Sequence, residues 1–208
     1  MLKEIFYDWG GANVWLFHAV NGWRGTALDR FMLLGTQLGD HKLFPAYLTL
    51  IVLAGAFAAV RAARIEAQRQ QAILWLGVLS VLCVAYLLDG AFLTWAKSWF
   101  DFPRPLLALP PGAVHVIGAA EYRRSLPSGH ASFAMTIAAS LWPMLKRWQR
   151  WAAMAFVLWV GVSRVNVGAH FPADVLAGWL SAWLIVWLIR MGARRCLTGL
   201  YETGKHHV

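Results

Sequence analysis

QAILWLGVLSVLCVAYLLDGAFLTWA, residues 71–96, runs for 26 residues with one charged side chain, Asp89. A helix needs about 20 predominantly apolar residues to cross the hydrocarbon core of a bilayer, so this stretch is long enough to span one. Similar runs recur at 43–61, 131–146, 150–167 and 172–190, of which 131–146 is short. A weaker stretch at 5–20, IFYDWGGANVWLFHAV, carries Asp8, Asn13 and His18 beside a Gly-Gly pair and fits a crossing or an interfacial helix equally. Residues 27–38 fit another short amphipathic segment. The expected fold class is all-α, a polytopic membrane helical bundle with five or six transmembrane helices. One integral membrane domain is expected over 1–208, with short or interfacial helices in 1–42, the core bundle in 43–190 and a cytoplasmic tail in 191–208.

Composition agrees. Of 208 residues, 59% are hydrophobic and 14% charged, where a soluble domain carries roughly a quarter charged. The net charge of +9 needs no nucleic acid, because Lys and Arg accumulate in cytoplasmic loops. Many of the 13 Trp suit the interfacial belts, while Trp179, Trp183 and Trp187 share a helical spacing that reads as lipid-facing or packing surface. Cys83 and Cys196 are far apart, with neither a disulfide nor a metal-ligand spacing expected. The opening MLKEIFYDWGG lacks the apolar core and cleavage pattern of a signal peptide, so insertion is expected to rely on the spans.

Loop charge sets an expected orientation. Arg61, Arg64 and Arg69, then Lys146, Arg147 and Arg150, then Arg190, Arg194, Arg195 and Lys205 alternate onto one side, which the positive-inside rule makes cytoplasmic. The 97–130 loop and the 163–171 turn then face outward, yet they carry Lys97, Arg104, Arg123, Arg124 and Arg164. Basic residues against the trend call for a local explanation.

Three stretches supply one: KSWFDFPRP at 97–105, PSGH at 127–130 and SRVNVGAHFPAD at 163–174. A phosphoester without a metal needs fixed cations and N–H donors around its oxygens. Lys97, Arg104 and Arg164 are suited to that, the arginines through forked donors. Ser128 reads as a helix N-cap, which would aim free N–H groups near Gly129 and His130 at an anion, and Gly129 permits close approach. His170 stands just ahead of Pro172, and Asp174 four residues on can reach back to fix its tautomer. His170 is then the nucleophile, Asp174 its orienter, and His130 the acid for the leaving group and the base for water. No carboxylate cluster suits magnesium, so neither metal nor cofactor is expected. His18, His41, His115, His206 and His207 read as solvated. Asp101 reads as a structural partner of Lys97 or Arg104, Arg123 and Arg124 as headgroup or substrate contacts, and Asp89 as a buried hydrogen-bond or ion-pair residue. The prolines 103, 105, 110 and 111 stiffen the long loop.

These stretches together resemble the type 2 phosphatidic acid phosphatase superfamily, whose signature is Lys-x6-Arg-Pro, Pro-Ser-Gly-His and Ser-Arg-x5-His-x3-Asp. Every signature position is matched in order, and the resemblance extends over about 43–190. It implies the same roles for His170, His130 and Asp174, and phosphate binding by Lys97, Arg104, Ser128, Gly129 and Arg164. The implied partners are the bilayer and a membrane lipid phosphate of the undecaprenyl pyrophosphate, phosphatidylglycerol phosphate, phosphatidic acid or lipid A type. The implied setting is the cytoplasmic membrane, with the site on its outer face. A lipid phosphotransferase would use the same residues. An anion transporter would leave the His170–Asp174 spacing without purpose.

Overall fold

The computed structural model describes residues 7–62 and 64–205, with side chains described as far as Arg195. The described chain is helical with no strand. Its helices are α1 (Ala12–Asn21), α2 (Thr26–Leu38), α3 (Phe44–Val60), α4 (Ile65–Phe100), α5 (Pro105–Ala108), α6 (Gly129–Leu141), α7 (Arg147–Asn166) and α8 (Pro172–Lys205). Among the described residues, three stretches are long and apolar enough to cross a bilayer: His41–Val60, Ile65–Ala108 and Pro172–Arg195. Their outer faces expose Leu50, Phe57, Leu74, Leu87, Leu180 and Trp183, the surface a lipid solvent requires. Trp183 and Trp187 stack there with centroids 6.4 Å apart.

Helix bounds depart from the apolar runs for local reasons. The expected 131–146 crossing is α6, which ends at Leu141. Pro143 has no N–H to continue the ladder and restrains the residue before it. At thirteen residues and 1.5 Å per residue, α6 is about 20 Å long, short of a full crossing. α7 has the length, at 20 residues, but carries Arg147, Arg150 and Arg164. α1, inside the 5–20 stretch, has ten residues and covers about 15 Å, less than the thickness of a bilayer core. α4 and α8 extend beyond their apolar runs, because polar helix formers at Glu66–Gln71 and Arg190–Arg195 prolong them. Cys196, Lys205, His206 and His207 lie outside the described side chains.

α6 is the centre of the bundle. It packs most extensively on α8 and also on α7 and α4, while α3 lies on α4 and α2 on α7. Six of its eight buried residues are small or weakly polar, Ala131, Ser132, Ala134, Thr136, Ala138 and Ser140, beside the larger Phe133 and Ile137. Small residues let helices approach closely where lipid offers no hydrophobic drive for association. One close approach is at Gly178 of α8, where a Cβ would lie 2.5 Å from the Ser128 carbonyl oxygen.

The short N-terminal helix is tied in by amides. Asn21 donates to the carbonyls of His115 and Asn166, both at 2.8 Å, and accepts from the His115 N–H at 3.0 Å. Asn13 accepts from the Ala173 N–H at 3.0 Å, and so caps α8 from a distant helix. Both asparagines are buried, so this stretch, which fits a crossing or an interfacial helix equally by sequence, is held by polar contacts to the rest of the chain. His18, His41 and His115 are exposed as expected.

Gly178→Val should separate α6 from α8 and lower the thermal midpoint in detergent, at a cost on the order of 1–3 kcal/mol. Gly192→Ala, at a position with no atom within 4 Å of an added Cβ, should leave the midpoint unchanged or slightly raised.

Candidate active site

The ends of α4, α6, α7 and α8 meet at one end of the bundle, with the 101–128 segment folded across them. Two backbone bonds, Arg104 N–H to Tyr122 O at 2.8 Å and Ser125 N–H to Phe102 O at 2.9 Å, pair the limbs of this segment. A third, from Ile117 N–H to Val167 O at 3.1 Å, ties it to the α7–α8 turn. That turn depends on Gly168, whose φ is +81° and whose Cβ, if present, would lie 2.5 Å from the His115 carbonyl oxygen.

His170 sits in the turn, fully enclosed, one residue from Phe171 and two from the start of α8. Its Nδ1 lies 3.3 Å from Asp174 Oδ2, and its Nε2 lies 3.1 Å from Arg104 Nη1. A carboxylate accepts and a guanidinium donates, which places the proton on Nδ1 and leaves the Nε2 lone pair facing Arg104. Burial, then the charges of Arg104 and Arg164, hold the imidazole well below its ordinary value, so it is neutral.

Asp174 is saturated. Besides His170 it receives the Ser125 hydroxyl on Oδ2, the Tyr7 hydroxyl on Oδ1 at 3.0 Å and the Phe171 N–H on Oδ2 at 2.9 Å. Burial, followed by the Asp174 charge, pushes the Tyr7 phenol well above its ordinary value, so it remains a donor. The Asp174 carbonyl also accepts from the Ser128 N–H at 2.9 Å, which docks PSGH against α8.

Ser128 occupies the N-cap position of α6 with an extended backbone, but its hydroxyl makes no cap bond. The hydroxyl is buried and has no hydrogen-bond partner. The N–H groups of the first helical turn after it have no intrahelical acceptor. Arg164 is buried as well, with Nη2 on Glu121 Oε1 at 3.1 Å and Nε without a partner. Arg104 donates from Nε to Arg123 O at 2.9 Å and from Nη1 to Ala169 O at 3.1 Å, and its Nη1 forms an ion pair with Glu121 Oε2 at 2.7 Å.

Lys97 and Gly129 line a neighbouring cavity of about 330 Å³ with His41, Asp89 and the apolar side chains Tyr86, Leu87, Leu93 and Phe133. His130 is half-buried, and its electrostatic neighbours are Arg164, Asp40, His41 and Lys97. So His170, Asp174, Arg104 and Arg164 form one contact network with the Ser128 backbone. Lys97, Gly129 and His130 adjoin it from the α4–α6 side without hydrogen-bonding to it. Asp89 accepts the Ser132 hydroxyl on both oxygens, at 2.6 and 2.5 Å. Asp101 pairs with Arg123 at 3.2 Å, not with Lys97 or Arg104, at a surface where such pairs are worth at most about 1 kcal/mol.

Glu121, Ser125 and Tyr7 belong to the site but not to the three motifs. Ser125 lies two residues before Pro127 and could have been flagged by proximity; Glu121 and Tyr7 carry no local signal.

The sequence and the fold have known counterparts. The sequence profile of the PAP2 superfamily matches residues 78–196, more than half of the chain. The chain belongs to the PAP2 superfamily. Among solved structures it resembles LpxE of Aquifex aeolicus, with TM-score 0.70 and 25% identity over 85% of this chain and 93% of that one. A phosphatidylglycerolphosphate phosphatase of PAP2 type from Bacillus subtilis gives TM-score 0.63 and 25% identity over 91% and 88%. A lipid A 1-phosphatase of Rhizobium etli is 37% identical over 73 residues, 33% of this chain and 31% of the relative. An undecaprenyl-diphosphatase of Sulfolobus acidocaldarius is 37% identical over 81 residues, 39% of this chain and 35% of the relative. The chain thus spans about a third of the length of the curated relatives it matches.

Asp174→Ala should strand four donors in a buried site and lower stability by several times the ~1 kcal/mol expected of Tyr7→Phe, read as thermal midpoints. His170 also makes a pH prediction. Below 6.5 the unfolded chain takes up a proton on this residue and the folded chain, with its depressed value, does not. Stability should therefore fall as pH drops through that range, and His170→Gln should flatten this part of the stability–pH curve.

Proposed function

We propose that this PAP2 protein is a metal-independent lipid phosphate phosphatase working through a phosphohistidine. The observation that carries the reading is the polarity of His170: Nδ1 is held by Asp174, and Nε2 faces the Arg104 guanidinium. A nucleophilic nitrogen and an anion-binding cation thereby address the same point, the position a phosphorus atom must take for attack.

The steps follow from the residues. Arg104, Arg164 and Lys97 neutralise the non-bridging oxygens, and the Ser128 hydroxyl with the α6 N-terminal N–H groups donates to them. Nε2 forms a bond to phosphorus while the ester or anhydride P–O bond breaks, and His130 gives its proton to the departing oxygen. The positive charge gained by His170 is shared with Asp174. Water then attacks phosphorus, the N–P bond breaks, and the proton of water passes to His130. The bound phosphate supplies the negative charge that sustains a protonated His130 among the surrounding cations.

The substrate class is a lipid phosphomonoester or diphosphate. Support comes from the site's place at one end of an apolar bundle, next to a cavity walled by Tyr86, Leu87, Leu93 and Phe133 that suits a hydrocarbon chain. The relatives named for lipid A, undecaprenyl diphosphate and phosphatidylglycerolphosphate fall in this class. The distribution of loop charge supports the cytoplasmic membrane with the site on its outer face. Transfer to a lipid hydroxyl in place of water would use the same first half-reaction.

The test is phosphate release by the purified protein in detergent with excess chelator, over a panel of lipid phosphates. Activity should survive chelation and fall by at least about 10³-fold in His170→Ala, the scale of losing a nucleophile. His130→Ala should accumulate acid-labile phosphoprotein. Activity abolished by chelator, or retained by His170→Ala, would overturn the mechanism.

A further inference from the structure

Glu121 occupies the place where a phosphate is needed. Its two carboxylate oxygens divide between the two buried arginines, Oε2 on Arg104 Nη1 at 2.7 Å and Oε1 on Arg164 Nη2 at 3.1 Å. The same Arg104 nitrogen lies 3.1 Å from His170 Nε2, so the carboxylate sits beside the nucleophilic atom. Each arginine side chain is no more than 7% exposed, whereas Glu121 is 38% exposed and stands on the loop between α5 and α6. The cations are fixed from within, and the anion reaches them from the solvent side.

We propose that Glu121 is a resident stand-in for substrate phosphate, a positioning residue that holds Arg104 and Arg164 at phosphate spacing and leaves when a phosphate arrives. Two buried guanidinium groups without an anion would repel each other and carry a large desolvation cost; the carboxylate relieves both. It does so incompletely. Two oxygens cannot reach the donors a tetrahedral phosphate can, and the Ser128 hydroxyl and Arg164 Nε remain unpartnered within the buried site. A phosphate, with more oxygens and more charge, satisfies them and displaces Glu121 into solvent.

The exchange has a quantitative signature. A group that must vacate a site reduces the apparent affinity of every incoming ligand by one common factor, the reciprocal of the vacant fraction. Substrate and product phosphate are therefore weakened alike, which keeps the released phosphate from clogging an otherwise strongly cationic site. The inference rests on the reading of this cluster as a phosphate site, but its test does not require turnover.

The experiment compares wild type, Glu121→Gln and Glu121→Asp in detergent, titrating inorganic phosphate against the thermal midpoint and measuring KM and phosphate Ki on a lipid phosphate. Glu121→Gln should melt lower than wild type without phosphate and reach the wild-type midpoint at saturation. Its half-saturating phosphate should fall, on the order of tenfold for a charge-assisted pair worth about 1.4 kcal/mol. KM and Ki should drop by that same factor, and Glu121→Asp should restore part of it. A structural role for Glu121 would raise KM and lower kcat. Unchanged or weaker phosphate binding in Glu121→Gln, or unequal shifts in KM and Ki, overturns the proposal. Absence of turnover with every lipid phosphate, while phosphate still binds more tightly to Glu121→Gln, would overturn the phosphatase reading and leave the stand-in role supported.

Discussion

The site is organised around one buried carboxylate. Asp174 takes a hydroxyl from the N-terminal segment at Tyr7, a hydroxyl from the α5–α6 loop at Ser125, an N–H and an imidazole from its own turn, and through its carbonyl the N–H that starts α6. Segments separated by up to 167 positions are thereby fixed to one residue of α8. A carboxylate this deep is tolerable only if its lone pairs are filled, and filling them requires each of those segments in place. Coherence of the site and the energetic tolerance of Asp174 are the same fact. The helix packing beneath makes it possible: without a side chain at Gly178, α6 comes close enough for its first turn to face the His170 turn.

Much of this was legible in the sequence because helices in lipid are written in long apolar runs, and because the motif residues fall at helix ends. His170 and Asp174 are four apart, so a helical first turn puts them within reach whatever the rest of the fold. Arg104 before Pro105 and Ser128 before Gly129 likewise mark helix starts. What hydropathy misjudged were boundaries. It carried α6 through Pro143, where the backbone cannot continue, and it stopped α4 and α8 at the last apolar residue although the helices run on. It left the 5–20 stretch open between a crossing and an interfacial helix and did not single out Asn21, and both Asn13 and Asn21 are buried with partners in remote segments.

The residues that escaped are those whose role is set by long-range approach. Glu121 is 17 positions from Arg104 and 43 from Arg164, in a loop without periodicity, and its neighbours AAEYRR suggest only a solvated charge. Asp101 shows the converse. Adjacency in sequence paired it with Lys97 or Arg104, yet it ends α4 with φ at +37° and meets Arg123 at the surface. Local spacing decides partners within a helix, and loop geometry decides them elsewhere.

Charge accounting ties these points together. Lys97, Arg104 and Arg164 set their charges close together, with Glu121 and Asp174 interacting with them and Asp40 with Arg164. Asp174 is already committed to four donors, and Glu121 is partly in solvent. At this end of the bundle a buried hydroxyl, that of Ser128, and a buried guanidinium N–H, that of Arg164, are still open. Fixed cations left underpaired in a low-dielectric site are costly, and a mobile dianion offsets that cost better than a tethered monoanion does. Three of the basic residues that ran against the loop-charge trend, Lys97, Arg104 and Arg164, are therefore accounted for by the candidate site, whereas Arg123 and Arg124 are exposed. Topology only requires that the three lie where a phosphate can reach them.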